Sequence, residues 1–221
     1  MSDEFFREVD EEYRRDKVSQ FWKKYNALII GIIAVVVIGV GGYRYWENHQ
    51  LSKARESSAT YMAANALILE GKGSEGESLL AALAKDAPAG YALLAKFRLA
   101  GEIASRDGEA GIREYNALAA DSAIASEWRD LAKLRSAMLR MDIGDGSSAQ
   151  SDLELLAGAN APWRHTAREM LGLLFLKRGD YAGAGRWFDA IAQDAETPAD
   201  LRRRLELYSA VVAGGAVTTA N

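Results

Sequence analysis

The sequence predicts an all-α protein in which an N-terminal transmembrane helix precedes a solenoid of about four helical hairpins and a closing C-terminal helix. Three observations support this fold class: an apolar segment near the N-terminus, an alanine- and leucine-rich remainder without a convincing strand, and a packing pattern that repeats every 35 to 38 residues. We therefore expect a tail (1–24), a transmembrane helix with aromatic flanks (25–46), a helical repeat domain (47–213) and a disordered C-terminal tail (214–221).

The N-terminal tail is rich in charge and has the pattern of an amphipathic helix. Phe5, Val9 and Tyr13 recur at every fourth position, which places them on one helix face. Such a helix could dock on a cytoplasmic or intramembrane partner. The alternative, which we favour, is a solvated tail whose basic end contacts anionic lipid.

The predicted transmembrane helix lies between Lys24 and Arg44. None of the nineteen intervening residues is Asp, Glu, Lys, Arg or His. As a helix, residues 27–43 would cover about 26 Å, close to the thickness of the hydrocarbon core of a bilayer. Aromatic and basic side chains on both flanks are predicted to anchor the helix at the membrane interfaces: Trp22, Lys23, Lys24, Tyr25, Tyr43, Arg44, Tyr45 and Trp46. The core helix of a soluble protein, the alternative, rarely combines two aromatic belts with no polar face.

The sequence also predicts that this helix is retained and how it is oriented. A signal peptidase site would need small residues directly after the apolar run, where the sequence instead reads YRYWENHQ. Six basic residues precede the helix, whereas three occur in the twenty residues after Tyr43. Because Lys and Arg favour the cytoplasmic side, we expect a cytoplasmic N-terminus and a C-terminal domain across the membrane.

The remainder of the chain contains four related segments. Each has a small residue, a bulky residue four positions later, and Leu or Ile three positions after that. The small residues are Gly76, Gly111, Ala149 and Ala184, and the bulky residues are Leu80, Tyr115, Leu153 and Phe188. Small side chains let the two helices of a hairpin approach closely, and the bulky pair fills the space before the next hairpin. Stacking of the hairpins would build a continuous core.

The stretch LGLLFLKRGDYAGAGRWFDAI, residues 171–191, resembles a tetratricopeptide (TPR) repeat. The matching residues are Leu171, Gly172 and Phe175 in the first helix, and Gly179, Tyr181, Ala184 and Phe188 in the turn and second helix. With its charged tail and the span FWKKYNALIIGIIAVVVIGVGGYRYW, the whole chain is similar to the bacterial ancillary Sec-translocon-subunit family.

This resemblance implies a single-pass protein of the bacterial inner membrane with a periplasmic TPR-like domain. It implies a chaperone-like role beside the protein translocon, with a membrane-bound prolyl isomerase as companion and unfolded or newly translocated proteins as clients. Contact would be through protein–protein interactions. The alternative is a structural scaffold for another cell-envelope assembly, such as cell division or respiratory-complex maturation.

Candidate chemistry is sparse, so we predict no enzyme, no cofactor and no metal site. The chain has no cysteine, and its net charge of −4 argues against nucleic acid. His165 has Arg164 and Arg168 as sequence neighbours rather than a carboxylate partner, and it is far from His49. The segment 71–76 matches G-x-G-x-x-G and 142–146 hints at a calcium loop, but both fall where a turn between repeat helices is expected. The run 202–204 of three arginines is interpreted as a solvated helix end.

The remaining candidate is a groove for a partner. In stacked hairpins the first helices line the concave face. Methionine adapts to varied apolar shapes, which suits a surface that meets many unfolded chains. Residues near helical spacing on these helices are the predicted groove: Phe97, Met138, Met141, Met170 and Leu173. The alternative is that they are ordinary core residues.

Overall fold

The computed structural model describes residues 2–215, with side chains from Trp22 onward except those of residues 29 and 33. The amphipathic pattern predicted for the N-terminal tail falls on residues whose side chains are not described. The last six residues of the predicted C-terminal tail lie outside the described residues. The described part forms nine helices and contains no strand: α1 (Ser2–Leu69), α2 (Gly73–Asp86), α3 (Ala89–Arg106), α4 (Gly108–Ala120), α5 (Ser126–Ile143), α6 (Gly146–Leu156), α7 (Arg164–Lys177), α8 (Tyr181–Ala192) and α9 (Ala199–Gly214).

Helix α1 runs through the predicted boundaries at residues 24 and 46 without interruption. The physical reason is that neither Gly nor Pro occurs between Tyr43 and Gly71, so nothing in the sequence ends the helix earlier. Contacts between residues divide the chain into two units, Met1–Glu56 and Ser57–Asn221. The division into tail, span and repeat domain therefore stays a prediction, and the closing helix extends to Gly214.

The first unit contains the apolar segment. The described residues contain one helix that is long and apolar enough to cross a membrane, and none of its most apolar window is buried by the protein. Exposed side chains there include Leu28, Ile30, Val35 and Ile38, which are 60, 59, 71 and 73% exposed. A core helix would be covered by its neighbours, so this exposure argues against the soluble alternative.

The second unit is built from four hairpins and a closing helix, as the sequence predicted. The hairpins pair the end of α1 with α2, α3 with α4, α5 with α6 and α7 with α8, and α9 packs on α8. Each helix packs mainly on the next one along the chain, with a smaller contact between α5 and α7. Packing that is mainly between neighbouring helices is the arrangement of a repeat solenoid.

The core consists of four clusters: three combine a hairpin with the first helix of the next, and the fourth combines the last hairpin with α9. The bulky repeat residues lie in them, with Leu80, Tyr115, Leu153 and Phe188 exposed by 0, 7, 0 and 2%. In the three later hairpins the second helix begins in the same way, with an Asp as the N-cap. Asp107, Asp145 and Asp180 each accept a hydrogen bond from the backbone N–H three residues later, at 2.9, 3.3 and 2.7 Å.

The small repeat residues sit where helices touch. A Cβ at Gly111 of α4 would lie 2.3 Å from the Cβ and 2.6 Å from the Cα of Ala104 on α3. Since the Cα belongs to the backbone, a side chain at this position would push the two helices apart. Gly90 of α3 offers a contrast, because a Cβ there would meet no atom within 4 Å.

We expect Gly111→Ala to lower the free energy of unfolding by about 1–3 kcal/mol, because overpacking outweighs the better helix propensity of alanine. Gly90→Ala is the matched control and should be neutral or stabilising by up to about 1 kcal/mol, since only propensity acts there. Denaturant unfolding of the detergent-solubilised full chain, followed by circular dichroism, measures both. Equal effects of the two substitutions would contradict the close contact between α3 and α4.

Candidate functional site

An open groove lies among the end of α1, α3, α4 and α5. Its volume is about 380 Å³. We call it the aromatic groove, and it is lined by Tyr61, Leu94, Phe97, Arg98, Gly101, Tyr115, Trp128, Leu131 and Arg135. All but Tyr115 come from first helices of hairpins, which line the concave face in a solenoid of this kind.

Three aromatic rings form the apolar part of the groove. The Phe97 ring centroid lies 6.0 Å from that of Tyr115 and 5.8 Å from that of Trp128, both tilted. These distances are typical of favourable ring pairs. Trp128 and Leu94 remain 39 and 40% exposed. The groove therefore has apolar surface exposed to solvent, at Trp128 and Leu94, that a ligand could cover.

Two arginines give the groove its charge. Arg98 Nη2 lies 2.7 Å from Glu102 Oε1, while the buried Nε of Arg98 has no hydrogen-bond acceptor. Arg135 is exposed and forms no ion pair within residues 22–215. Burial raises the pKa of Tyr115, and the positive charges of Arg135 and Arg98 act in the opposite direction. No residue lining the groove carries a carboxylate.

Only Phe97 of the five predicted groove residues lines this groove. Met138, Met141 and Met170 are half-buried at the edge of the core cluster that joins α5, α6 and α7. Leu173 packs at the edge of the cluster that joins α8 and α9. Their contacts are those of side chains at the margin of the core, and a binding role for them stays a prediction.

The residues that sequence reasoning missed show a helical spacing of their own. Trp128, Leu131 and Arg135 follow one another on α5 at intervals of three or four residues. Leu94, Phe97 and Gly101 have the same spacing on α3. A stripe of aromatic and basic residues on neighbouring first helices could have indicated the aromatic groove. The methionines that we selected instead lie farther along the chain.

The predicted interface anchors flank the apolar segment of α1. Trp22, Tyr43, Tyr45 and Trp46 are 55, 61, 78 and 58% exposed. Three further contacts are local: Lys24 Nζ lies 5.4 Å from the Tyr25 ring centroid, Arg44 Nη1 lies 3.3 Å from Glu47 Oε2, and the Tyr43 and Trp46 rings are 6.3 Å apart. Their role at a membrane interface stays a prediction.

A cluster of ion pairs joins the start of α7 to the connection between α8 and α9. Asp194 is its centre: it accepts hydrogen bonds from Arg164 Nε at 2.8 Å and Arg168 Nη1 at 3.1 Å. Arg164 also pairs with Glu196. Hydrogen bonding from Arg164 holds the pKa of Asp194 well below its usual range.

This cluster corrects the expectation that no carboxylate lies beside His165, although the Nε2 of His165 forms no hydrogen bond. His165 Nε2 lies 3.1 Å from Asp194 Oδ2. The two residues are distant in sequence and meet because the start of α7 packs beside the end of α8. Since Asp194 is already held by two guanidinium groups, the arrangement is that of a structural clamp. In the part of the chain with described side chains, no group of three His, Cys, Asp or Glu residues could hold a metal ion.

The three consecutive arginines of α9 point in different directions, and two of them bind protein groups outside α9. Arg204 Nε and Nη2 donate to the buried carboxylate of Glu169 at 2.8 and 2.9 Å. Arg202 donates to backbone carbonyls, including that of Thr197 at 3.1 Å, and Arg203 pairs with Asp200. The interpretation as a merely solvated helix end was therefore wrong for Arg202 and Arg204, which fasten α9 to the preceding elements.

We expect Asp194→Asn to lower the melting temperature at pH 7, because two arginines lose their shared carboxylate. A depressed carboxyl pKa adds stability above the ordinary value of about 4, and this stability is lost as the pH falls through the depressed value. The variant should therefore lose less stability than the wild type on acidification below about pH 4. Thermal unfolding over a pH series tests this. Asp130→Asn, which removes only a pair three residues apart with Lys133, is the control. Identical curves for both variants would rule out the clamp.

Known proteins are similar to this chain over most of its length. A family model described as a tetratricopeptide repeat-like domain matches residues 19–207. The ancillary SecYEG translocon subunit of Escherichia coli (strain K12) is 28% identical over 180 residues, which covers 79% of this chain and 82% of that protein. The protein of the same name from Haemophilus influenzae (strain Rd) is 24% identical over 189 residues, covering 84% and 90%. That of Aggregatibacter actinomycetemcomitans is 22% identical over 193 residues, covering 85% and 91%.

No solved structure matches the chain at a significant level. The curated relatives confirm the resemblance to ancillary translocon subunits that residues of the span and of the last repeat indicated. The family match extends over most of the chain and agrees with the four hairpins observed. The chain belongs to the tetratricopeptide repeat-like domain family.

Proposed function

We propose that the protein is a membrane-anchored accessory subunit of the Sec translocon that assists newly translocated proteins. The observation that carries this proposal is the extent of the similarity to proteins named ancillary SecYEG translocon subunit, which covers 79 to 85% of this chain. A match to the repeat alone would indicate only a fold that serves many partners. Here the family match begins at residue 19, before the apolar segment.

The apolar segment of α1 supports a place in the bacterial inner membrane. Its side chains are uncovered in the described structure, and lipid chains are the environment that suits them. The excess of basic residues before the segment supports a cytoplasmic N-terminus and a periplasmic repeat domain. Contacts of this segment with lipid and with membrane subunits of the translocon would hold the protein at the channel.

The repeat domain would supply the chaperone-like contacts. The aromatic groove is open, and its lining includes apolar side chains. It can therefore cover apolar side chains of a client that has not yet folded. A membrane-bound prolyl isomerase is the companion implied by the resemblance to the ancillary subunits. The role is non-catalytic in this proposal, because Asp194, the carboxylate beside His165, already accepts hydrogen bonds from Arg164 and Arg168.

Site-specific photo-crosslinking in intact cells tests this function. A photoreactive residue at Ile38 should crosslink to membrane subunits of the translocon, and one at Leu94 should crosslink to newly exported chains. Arg113, exposed on α4, is the control position and should capture few clients. Recovery of a fixed set of folded proteins of another envelope assembly, without translocon subunits or exported chains, would contradict the proposal and favour the scaffold alternative.

Protease added to spheroplasts tests the orientation separately. We expect digestion of the repeat domain and protection of the N-terminal tail, because the basic flank is retained in the cytoplasm. An epitope at each end reports the two fragments, and a cytoplasmic marker protein checks that the membrane is intact. A protected repeat domain would reverse the orientation and exclude contact with translocated chains.

A further inference from the structure

The aromatic groove has a composition that selects among polypeptides. Its volume of about 380 Å³ lies within the range of small-ligand pockets and is enough for a large side chain with part of its backbone. Its lining combines Tyr61, Tyr115, Trp128, Arg98 and Arg135. Trp, Tyr and Arg are the residue types that dominate binding energy at protein interfaces.

The apolar part of the groove can take one large side chain. Phe97 lies between Tyr115 and Trp128, with ring centroids 6.0 and 5.8 Å away. Leu94 and Trp128 are 40 and 39% exposed at its edge. A ligand side chain placed against these residues would remove their remaining apolar surface from water. An aromatic or leucine side chain has the size and polarity for this place.

The charged part of the groove favours a negative group. The lining contains two guanidinium groups and no carboxylate, although the chain as a whole has a net charge of −4. Glu102 occupies Nη2 of Arg98, but the Nε of Arg98 has no acceptor. Arg135 forms no ion pair among the residues with described side chains. Arginine presents a planar set of donors that fits a carboxylate.

We infer that the aromatic groove binds an extended polypeptide segment in which a large apolar side chain lies next to an Asp or Glu carboxylate. The apolar side chain packs against the exposed edges of Trp128 and Leu94 beside Phe97, and the carboxylate pairs with the exposed Arg135. Two cations on an acidic protein are too few to hold nucleic acid. The inference rests on the proposed contact with translocated chains for its setting in the cell.

Peptide binding to the purified full chain in detergent tests the selection directly. The probe is a fluorescein-labelled peptide Gly-Ser-Glu-Phe-Glu-Ser-Gly, followed by fluorescence anisotropy. We expect affinity about tenfold higher than for the peptide with Lys in place of both Glu residues, and about tenfold higher than for the peptide with Ala in place of Phe. Raising the salt concentration should weaken the binding of the acidic peptide, because the charge pairs are partly exposed.

Substitutions in the groove locate the binding. Arg135→Gln should weaken the acidic peptide about fivefold and Arg135→Glu should reverse the preference toward the Lys peptide. Trp128→Ala should weaken both peptides, and Leu94→Ser provides a second apolar variant should Trp128→Ala fail to fold. Arg113→Gln, which removes an exposed charge on α4, is the matched control and should leave binding unchanged.

Several results would overturn the inference. Equal binding of the acidic and basic peptides, or binding unaffected by both Arg135→Glu and the apolar variants, would show that the groove does not select this segment. If the wild type binds no peptide and the groove variants form a smaller oligomer than the wild type, a second copy of the chain occupies the groove. Competition by anionic lipid vesicles but not by unlabelled peptide would show a lipid site. Retained crosslinks from Ile38 to the translocon in any of these cases would leave the proposed function standing, whereas peptide binding without those crosslinks would overturn the proposed function alone.

Discussion

The need to cover the apolar surface of α1 is the constraint on which the rest of the structure depends. Between residues 27 and 43 this helix exposes Leu, Ile and Val side chains, and the described protein buries none of its most apolar window. Each Å² of such surface left in water costs about 25 cal/mol. A helix satisfies its own backbone hydrogen bonds, so a bilayer can cover these side chains without leaving polar groups unpaired.

The repeat domain meets a similar demand with protein surfaces. No single hairpin encloses its bulky residue: three of the four core clusters are completed by the first helix of the next hairpin, and the fourth by α9. Close contact at positions such as Gly111 sets the distance between the helices of a pair. The last hairpin is covered by α9, which the pairing of Arg204 with Glu169 fastens to α7. The first helices contribute only part of their surface to this packing, so their remaining surface can form an open groove.

Features set by local composition could be predicted from the sequence. The apolar segment and the four hairpins follow from residue patterns within short stretches, and the repeated small and bulky residues indicated which side chains would be buried. Features set by distant contacts could not. Asp194 joins Arg164 and His165 only because the end of α8 meets the start of α7. The aromatic groove likewise combines Trp128 with Phe97 across two hairpins, whereas the methionines of the predicted groove lie at the margin of the core.

We propose above all that α1 is inserted in a bilayer and tethers the repeat domain there. Extraction of bacterial membranes with alkaline carbonate, which strips peripheral proteins but leaves inserted helices, tests it most directly. The account predicts that the full chain stays in the membrane pellet and is released only by detergent. Release into the carbonate supernatant, or recovery in the soluble fraction after lysis, would contradict it.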